Sequence, residues 1–214
     1  MMDNATIELH GARTGNCLRV SVALEEAGLP YVVKRVDLRR GEQHRPEHLA
    51  LNPNGQVPTI VVKSNHGQSP FILSQSNAIL LYVAERVPGS LISDLDPKLR
   101  NRTYERFFYF LTDVIAPSHS AFALRSIAPS NRSELLEQRS MAALARAEAF
   151  IVGSRYMAGE SFTLADIAAF TITVAHEKHM EWAALPLLRQ WFEEVRARPA
   201  VDRGMRALDV PSAN

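Results

Sequence analysis

Three neighbouring side chains in "HGARTGNCLRV" can do chemistry: the Thr14 hydroxyl, the Asn16 carboxamide and the Cys17 thiol. Threonine and asparagine are favoured helix N-caps, and a helix start also favours a nearby anion through its dipole. Cys17 is the one cysteine of the chain, so it forms no internal disulfide and builds no cysteine metal cage, as suits a reducing cytosol. A second place is "NGQVPTIVV" (54–62), where Pro58 stands directly before a β-branched run. Proline cannot donate to a sheet ladder and holds Val57 extended, so Pro58 answers to something other than strand pairing. A third is Gln75–Ser76, at the head of an apolar segment, where serine reads as an N-cap. The histidine pairs are poorer candidates. "HEKH" (176–179) lacks HExxH spacing and a further ligand, and "HRPEH" (44–48) is interrupted by proline, so no metal is expected.

Composition narrows the function classes. The 24 basic residues nearly cancel the 23 acidic ones, leaving a formal charge of +1, far from the basic field of a nucleic-acid binder. The longest apolar run, "AILLYVA" (78–84), is too short to cross a bilayer, and "MMDNATIELHG" has no signal-peptide pattern. A cytoplasmic protein with neither a nucleic-acid nor a membrane partner is expected. With 46% apolar residues in 214, the chain can bury a core as one large domain or two small ones.

The elements that must position these residues follow from periodicity. "TIELH" (6–10) alternates and "YVVKRVDL" (31–38) is β-branched, while Val20, Leu24 and Ala27 between them share a helix face. Gly28 and Pro30 stop that helix, giving β-α-β. After a polar stretch with a short helix near 46–51, "TIVVK" and "PFILS" flank "SNHGQS" as a hairpin, and a buried helix runs from Ser76 to Arg86. Beyond "VPGSLISD" (87–94) the signals are helical. Asp96–Pro97 starts a helix expected to run to Pro117, a long amphipathic helix ends at Gly153, and another stops before Pro199. Thr163 and Asp166 in "SFTLADIAAF" form a capping-box relative. The expected domains are 1–87, a linker at 88–95 and an all-α domain at 96–214.

This order resembles the cytosolic glutathione S-transferase family over nearly the whole chain, through "TGNCLRVSVALEEAGLPY", "VDLRRGEQHRPEHLALNPNGQVPTIV", "SQSNAILLYVAE" and "FTLADI". The resemblance implies an α/β plus all-α fold: a thioredoxin-like domain (βαβ-ββα) that binds glutathione, followed by a helical domain. It implies a cis Val57–Pro58 bond, which leaves the Val57 backbone to pair with the cysteinyl backbone of glutathione. Gln75 and Ser76 would receive the γ-glutamyl group at the helix mouth, and Gln56, with Gln43 or His44, would face the glycyl end. Many relatives carry glutamate where Gln75 stands; other classes carry glutamine. A homodimer acting in detoxification is implied as well.

Glutathione's thiol has a pKa near 8.5, so only about 3% is thiolate at pH 7. A hydrogen bond from the protein is worth roughly 1.5–3 kcal/mol to the charged form, about one to two pKa units. In the family a tyrosine, serine or cysteine near the first helix gives it. Here the serine or cysteine position falls on Thr14, and Asn16 can also donate; the pair resembles the nu-like classes, with Gly15 in place of their proline. Cys17 lies three residues past the redox position and reads as a small buried residue. Three activities stay open: attack of the thiolate on a hydrophobic electrophile, glutathione-dependent reduction of a disulfide or peroxide, and binding without catalysis. In relatives the helix carrying Tyr109, Asp113 and His119 borders the electrophile pocket.

Overall fold

In the computed structural model, which describes residues 6–63, 69–127 and 131–209, strand β1 (Thr6–Gly11) buries Ile7 and Leu9 and turns Thr6 outward, as its alternation requires. It pairs in parallel with β2 (Tyr31–Arg35) and antiparallel with β3 (Thr59–Lys63), which pairs antiparallel with β4 (Phe71–Ser74). The strand order is β2-β1-β3-β4. Thr59 to Val62 are all buried, because β3 is an inner strand covered on both faces. Strand β2 is shorter than its β-branched run. The Val36 N–H still reaches the Gly11 carbonyl, after which the Asp37 carboxylate accepts from the Arg39 and Arg40 backbone and turns the chain. Residues 64–68, within the expected hairpin turn, lie outside the described residues.

Helix α1 (Gly15–Glu26) connects the two parallel strands, capped by Thr14 and ended by Gly28 at φ 64°. Every residue from Cys17 to Leu24 is buried. The four-residue α2 (Pro46–Leu49) precedes β3, and α3 (Ser76–Arg86) follows β4 with Ile79, Leu80, Val83 and Ala84 buried. This βαβ-ββα order is that of a thioredoxin-like domain.

The rest is helical: α4 (Pro97–Tyr109), α5 (Ala116–Ile127), α6 (Asn131–Arg146), α7 (Leu164–His176), α8 (Pro186–Arg196) and α9 (Pro199–Arg206). The Asp96 carboxylate caps α4 through the Lys98 and Leu99 N–H groups, 2.8 and 3.2 Å away. The expected stop at Pro117 does not occur. A π-helical segment, Phe110–Ile115, shifts the hydrogen-bond register just ahead of the proline, and the helix passes through it as α5. Helix α7 is buried along almost its whole length and starts with a closed capping box. The Asp166 carboxylate accepts from the N–H groups of Met157 and Thr163, the Thr163 hydroxyl and the Trp191 indole. Burial pushes its pKa up to about 6, and these four hydrogen bonds pull the other way.

The chain divides into two compact units, Met1–Val87 with Pro199–Asn214, and Pro88–Arg198. The expectation of one helical domain over 96–214 is therefore corrected at its end, since α9 belongs with the first unit. Gly204 explains the packing: a Cβ there would lie 2.6 Å from the Val22 backbone, so only glycine lets α9 come this close to α1. The Ser21 hydroxyl closes the contact by donating to the Gly204 carbonyl at 2.7 Å. Leu208 then packs on Cys17 and Leu18.

Candidate functional site

Three segments of the first unit line one narrow cleft. Helix α1 contributes Asn16; the loop before β3 contributes Asn52, Asn54, Gln56, Val57 and Pro58; the β4–α3 junction contributes Ser74, Gln75 and Ser76. None of these residues carries a formal charge.

The middle segment is built around one carbonyl. The Gln56 oxygen accepts from Asn52 Nδ2 at 2.8 Å and from His48 Nε2 at 2.9 Å, and since a carbonyl only accepts, the His48 proton sits on Nε2. Asn52 also closes the tight turn, its side-chain oxygen accepting from the Asn54 N–H and its carbonyl from the Gly55 N–H. The Val57–Pro58 peptide is cis.

The third segment carries a strained residue. Gln75 has φ 74° and ψ 109°, a region that disfavours any residue with a Cβ by about 1–3 kcal/mol. It is the N-cap of α3, yet no side chain caps the helix and no acidic residue lies in its first turn. The Gln75 carbonyl accepts from the Ile79 N–H, and the adjacent Ser74 and Thr59 hydroxyls meet at 3.0 Å. An exposed side chain thus stands at a helix mouth whose N–H groups and dipole suit an anion.

At the first segment, Thr14 and Asn16 divide the work. The Thr14 Oγ1 accepts from the Cys17 N–H at 3.4 Å as the N-cap of α1, and Thr14 does not line the cleft. Asn16 does, with its Oδ1 accepting from Arg19 Nη1 at 3.2 Å, so its NH2 edge is left to donate elsewhere. Cys17 is fully buried, and desolvation raises its thiol pKa, the reverse of what a reactive thiolate needs.

Of the expected residues, Asn16, Gln56, Val57, Pro58, Gln75 and Ser76 come together in the cleft, while Thr14, Gln43 and His44 do not line it. Gln43 and His44 belong to the 3-10 turn Glu42–His44, which packs against the loop at Gly55: a Cβ there, where φ is 60°, would lie 2.6 Å from His44 Nδ1 and 3.3 Å from the Gln43 carbonyl oxygen. Tyr109 is a packing residue, its hydroxyl donating to the Ala143 carbonyl and its ring meeting Phe150 edge-on.

The sequence reading missed Arg19, His48 and Asn52. Arg19 had a visible sign, the one cation of helix α1, set between Leu18 and Val20 and three residues from Asn16, hence on the same face. Among the described residues there is no cluster of three metal-ligating side chains, and no helix is long and apolar enough to cross a membrane.

Residues 5–85 match the family model described as glutathione S-transferase, N-terminal domain, and residues 111–199 match the corresponding C-terminal domain. The chain is 31% identical over 210 residues to the disulfide-bond oxidoreductase YfcG of Escherichia coli, covering 93% of this chain and 94% of that one. It is 27% identical over 221 residues to glutathione S-transferase 3 of Zea mays, covering 97% and 96%. Among solved structures, a glutathione transferase family member from Pseudomonas fluorescens with two glutathione bound superposes with a TM-score of 0.81 at 27% identity, covering 93% of this chain and 92% of that one.

Proposed function

Because the chain belongs to the glutathione S-transferase family, we propose that it is a glutathione transferase whose Asn16 activates the thiol of glutathione bound in the cleft of the first unit. The observation that carries this reading is the meeting of Asn16, the Val57 backbone beside its cis proline and the uncapped mouth of α3 in one cleft. The Val57 backbone pairs with the cysteinyl backbone of the tripeptide as a one-residue strand addition. Ser76 and the first N–H groups of α3 take the γ-glutamyl carboxylate, Gln75 contacts the same group, and Gln56 faces the glycyl end, with Gln43 and His44 supporting the loop.

That arrangement sets the sulfur near the NH2 edge of Asn16. A donor there favours thiolate over thiol, and Thr14, whose hydroxyl accepts from the Cys17 N–H outside the cleft lining, caps the helix start that presents Asn16. The thiolate attacks the electrophilic carbon of a hydrophobic second substrate. A sulfur–carbon bond forms, the bond to the leaving group breaks, and its electron pair departs with that group.

A second reading, reduction of disulfides or peroxides, is favoured by the name of the 31%-identical Escherichia coli relative. There the thiolate attacks a disulfide sulfur and expels a thiolate, and a second glutathione attacks the mixed disulfide to leave glutathione disulfide. Two bound glutathiones in the Pseudomonas fluorescens and Burkholderia graminis neighbours suit that stoichiometry. Cys17, buried with a raised pKa, takes no part in either reaction.

One preparation assayed with an aryl halide, a hydroperoxide and a mixed disulfide of glutathione decides between the two. Turnover of the aryl halide supports conjugation; turnover of the other two alone overturns it in favour of reduction. The family pattern also leads us to expect a cytoplasmic homodimer acting in detoxification, and sedimentation equilibrium checks the dimer.

A further inference from the structure

The guanidinium of Arg19 lies beneath the cleft, 2% exposed, and joins two of its three segments. Its Nη1 is 3.2 Å from Asn16 Oδ1, 3.2 Å from Ser76 Oγ and 3.1 Å from Asn77 Oδ1. Asn16 and Ser76 line the cleft; Asn77 does not. Asn16 and Ser76 stand at the starts of two different helices, α1 and α3, which on the glutathione reading face the sulfur and the γ-glutamyl carboxylate respectively.

A guanidinium has only donors. A carboxamide has an accepting edge and a donating edge of nearly equal shape, so its orientation is decided by its neighbours rather than by fit. Whichever way the Asn16 amide is drawn, the edge that meets Arg19 has to be its oxygen, and the NH2 edge faces away. The same holds for the Ser76 hydroxyl: by accepting from Arg19 it keeps its proton for another acceptor. Without the cation each group could present either character to a ligand. Asn16 with oxygen outward would repel a thiolate, and Ser76 would lose its bias toward donation.

We propose that Arg19 is a positioning residue that turns Asn16 and Ser76 together into hydrogen-bond donors, toward the sulfur and the γ-glutamyl carboxylate of glutathione. This role rests on the glutathione reading above. Burial lowers the Arg19 pKa to about 10, which still leaves it a cation at neutral pH. Cation and donors therefore act on the anionic forms of the same ligand from beneath an uncharged cleft.

The test compares Arg19→Lys, which keeps a charged donor-only group, with Arg19→Gln, which is neutral and can present oxygen to either partner. Isothermal titration measures glutathione binding, thiolate absorbance against pH measures the bound thiol, and steady-state kinetics at about pH 6.5 separate kcat from KM. Arg19→Lys is expected to retain most of the wild-type depression of the thiol pKa. Arg19→Gln is expected to raise that pKa by about one unit and to lower kcat about tenfold, with a smaller change in KM. An Arg19→Gln protein that titrates like the wild type overturns the role of Arg19 while leaving the glutathione reading intact. Absence of glutathione binding by the wild type overturns the glutathione reading itself and this role with it. If neither variant folds, a neutron crystal structure of the wild-type complex, in which the amide deuterons are seen directly, decides. An Asn16 amide with its oxygen on Arg19 and its nitrogen on sulfur supports the role, and an amide turned away from Arg19 overturns it.

Discussion

Two helix starts in this chain solve the same problem in opposite ways. At α7 the Thr163–Asp166 box closes the terminus from within, and the Asp166 carboxylate is fully engaged by backbone, hydroxyl and indole donors. At α3 the N-cap is Gln75, whose side chain caps nothing and whose backbone is held in a disfavoured region. The first arrangement serves the stability of the helical unit. The second forgoes the same stabilisation and accepts local strain, which the proposed reading explains by the γ-glutamyl carboxylate completing the helix end.

The sharpest break of this contrast is Asp166→Ala. It removes the acceptor for four buried donors and should destabilise the protein by about 3 kcal/mol, read as a lower urea midpoint. A loss below about 1 kcal/mol would mean that the closed start is dispensable. Ser76→Ala should weigh on the ligand first, weakening glutathione binding about tenfold by removing one charge-assisted hydrogen bond, with a loss of stability smaller than that of Asp166→Ala because the buried Arg19 keeps Asn16 and Asn77 as acceptors. Equal affinity in calorimetry would remove Ser76 from the anion site. The smallest effect belongs to Gln75→Gly. Glycine relieves the positive φ but is more flexible when unfolded, so stability should rise by no more than about 1 kcal/mol while glutathione binding weakens. Loss of stability in that variant would show that Gln75 is held by packing and not for a ligand.

Much of this was legible in the sequence because it is local. The caps at Asp96 and Thr163–Asp166, the stop at Gly28, the β-α-β start and the proline ahead of β3 all announce themselves within a few residues, whereas the long helix expected to end at Gly153 stops at Arg146 and gives way to a 3-10 segment, Ala147–Ile151. That Asn16, Val57, Pro58, Gln75 and Ser76 would line one cleft followed from the family resemblance of the short turns that carry them. What was lost depends on distant partners. Pro117 was read as a stop because a π-helical register shift has no single-residue signature. The place of α9 depends on a glycine meeting Val22, 182 positions earlier by the difference of the two numbers, and Arg19 gains its meaning only through Ser76, 57 positions away. Thr14 and Asn16 were indistinguishable as donors until the cap at Cys17 and the contact to Arg19 showed which side chain lines the cleft.

The central claim is that this cleft holds glutathione with its sulfur against a donor. Titrating the thiolate absorbance of glutathione bound to the wild type and to Asn16→Ala tests it most directly. The wild type should ionise the thiol about one to two units below its free value near 8.5, and the variant should return it most of the way. A bound thiol that titrates near 8.5 in the wild type, or identically in both proteins, would contradict the account.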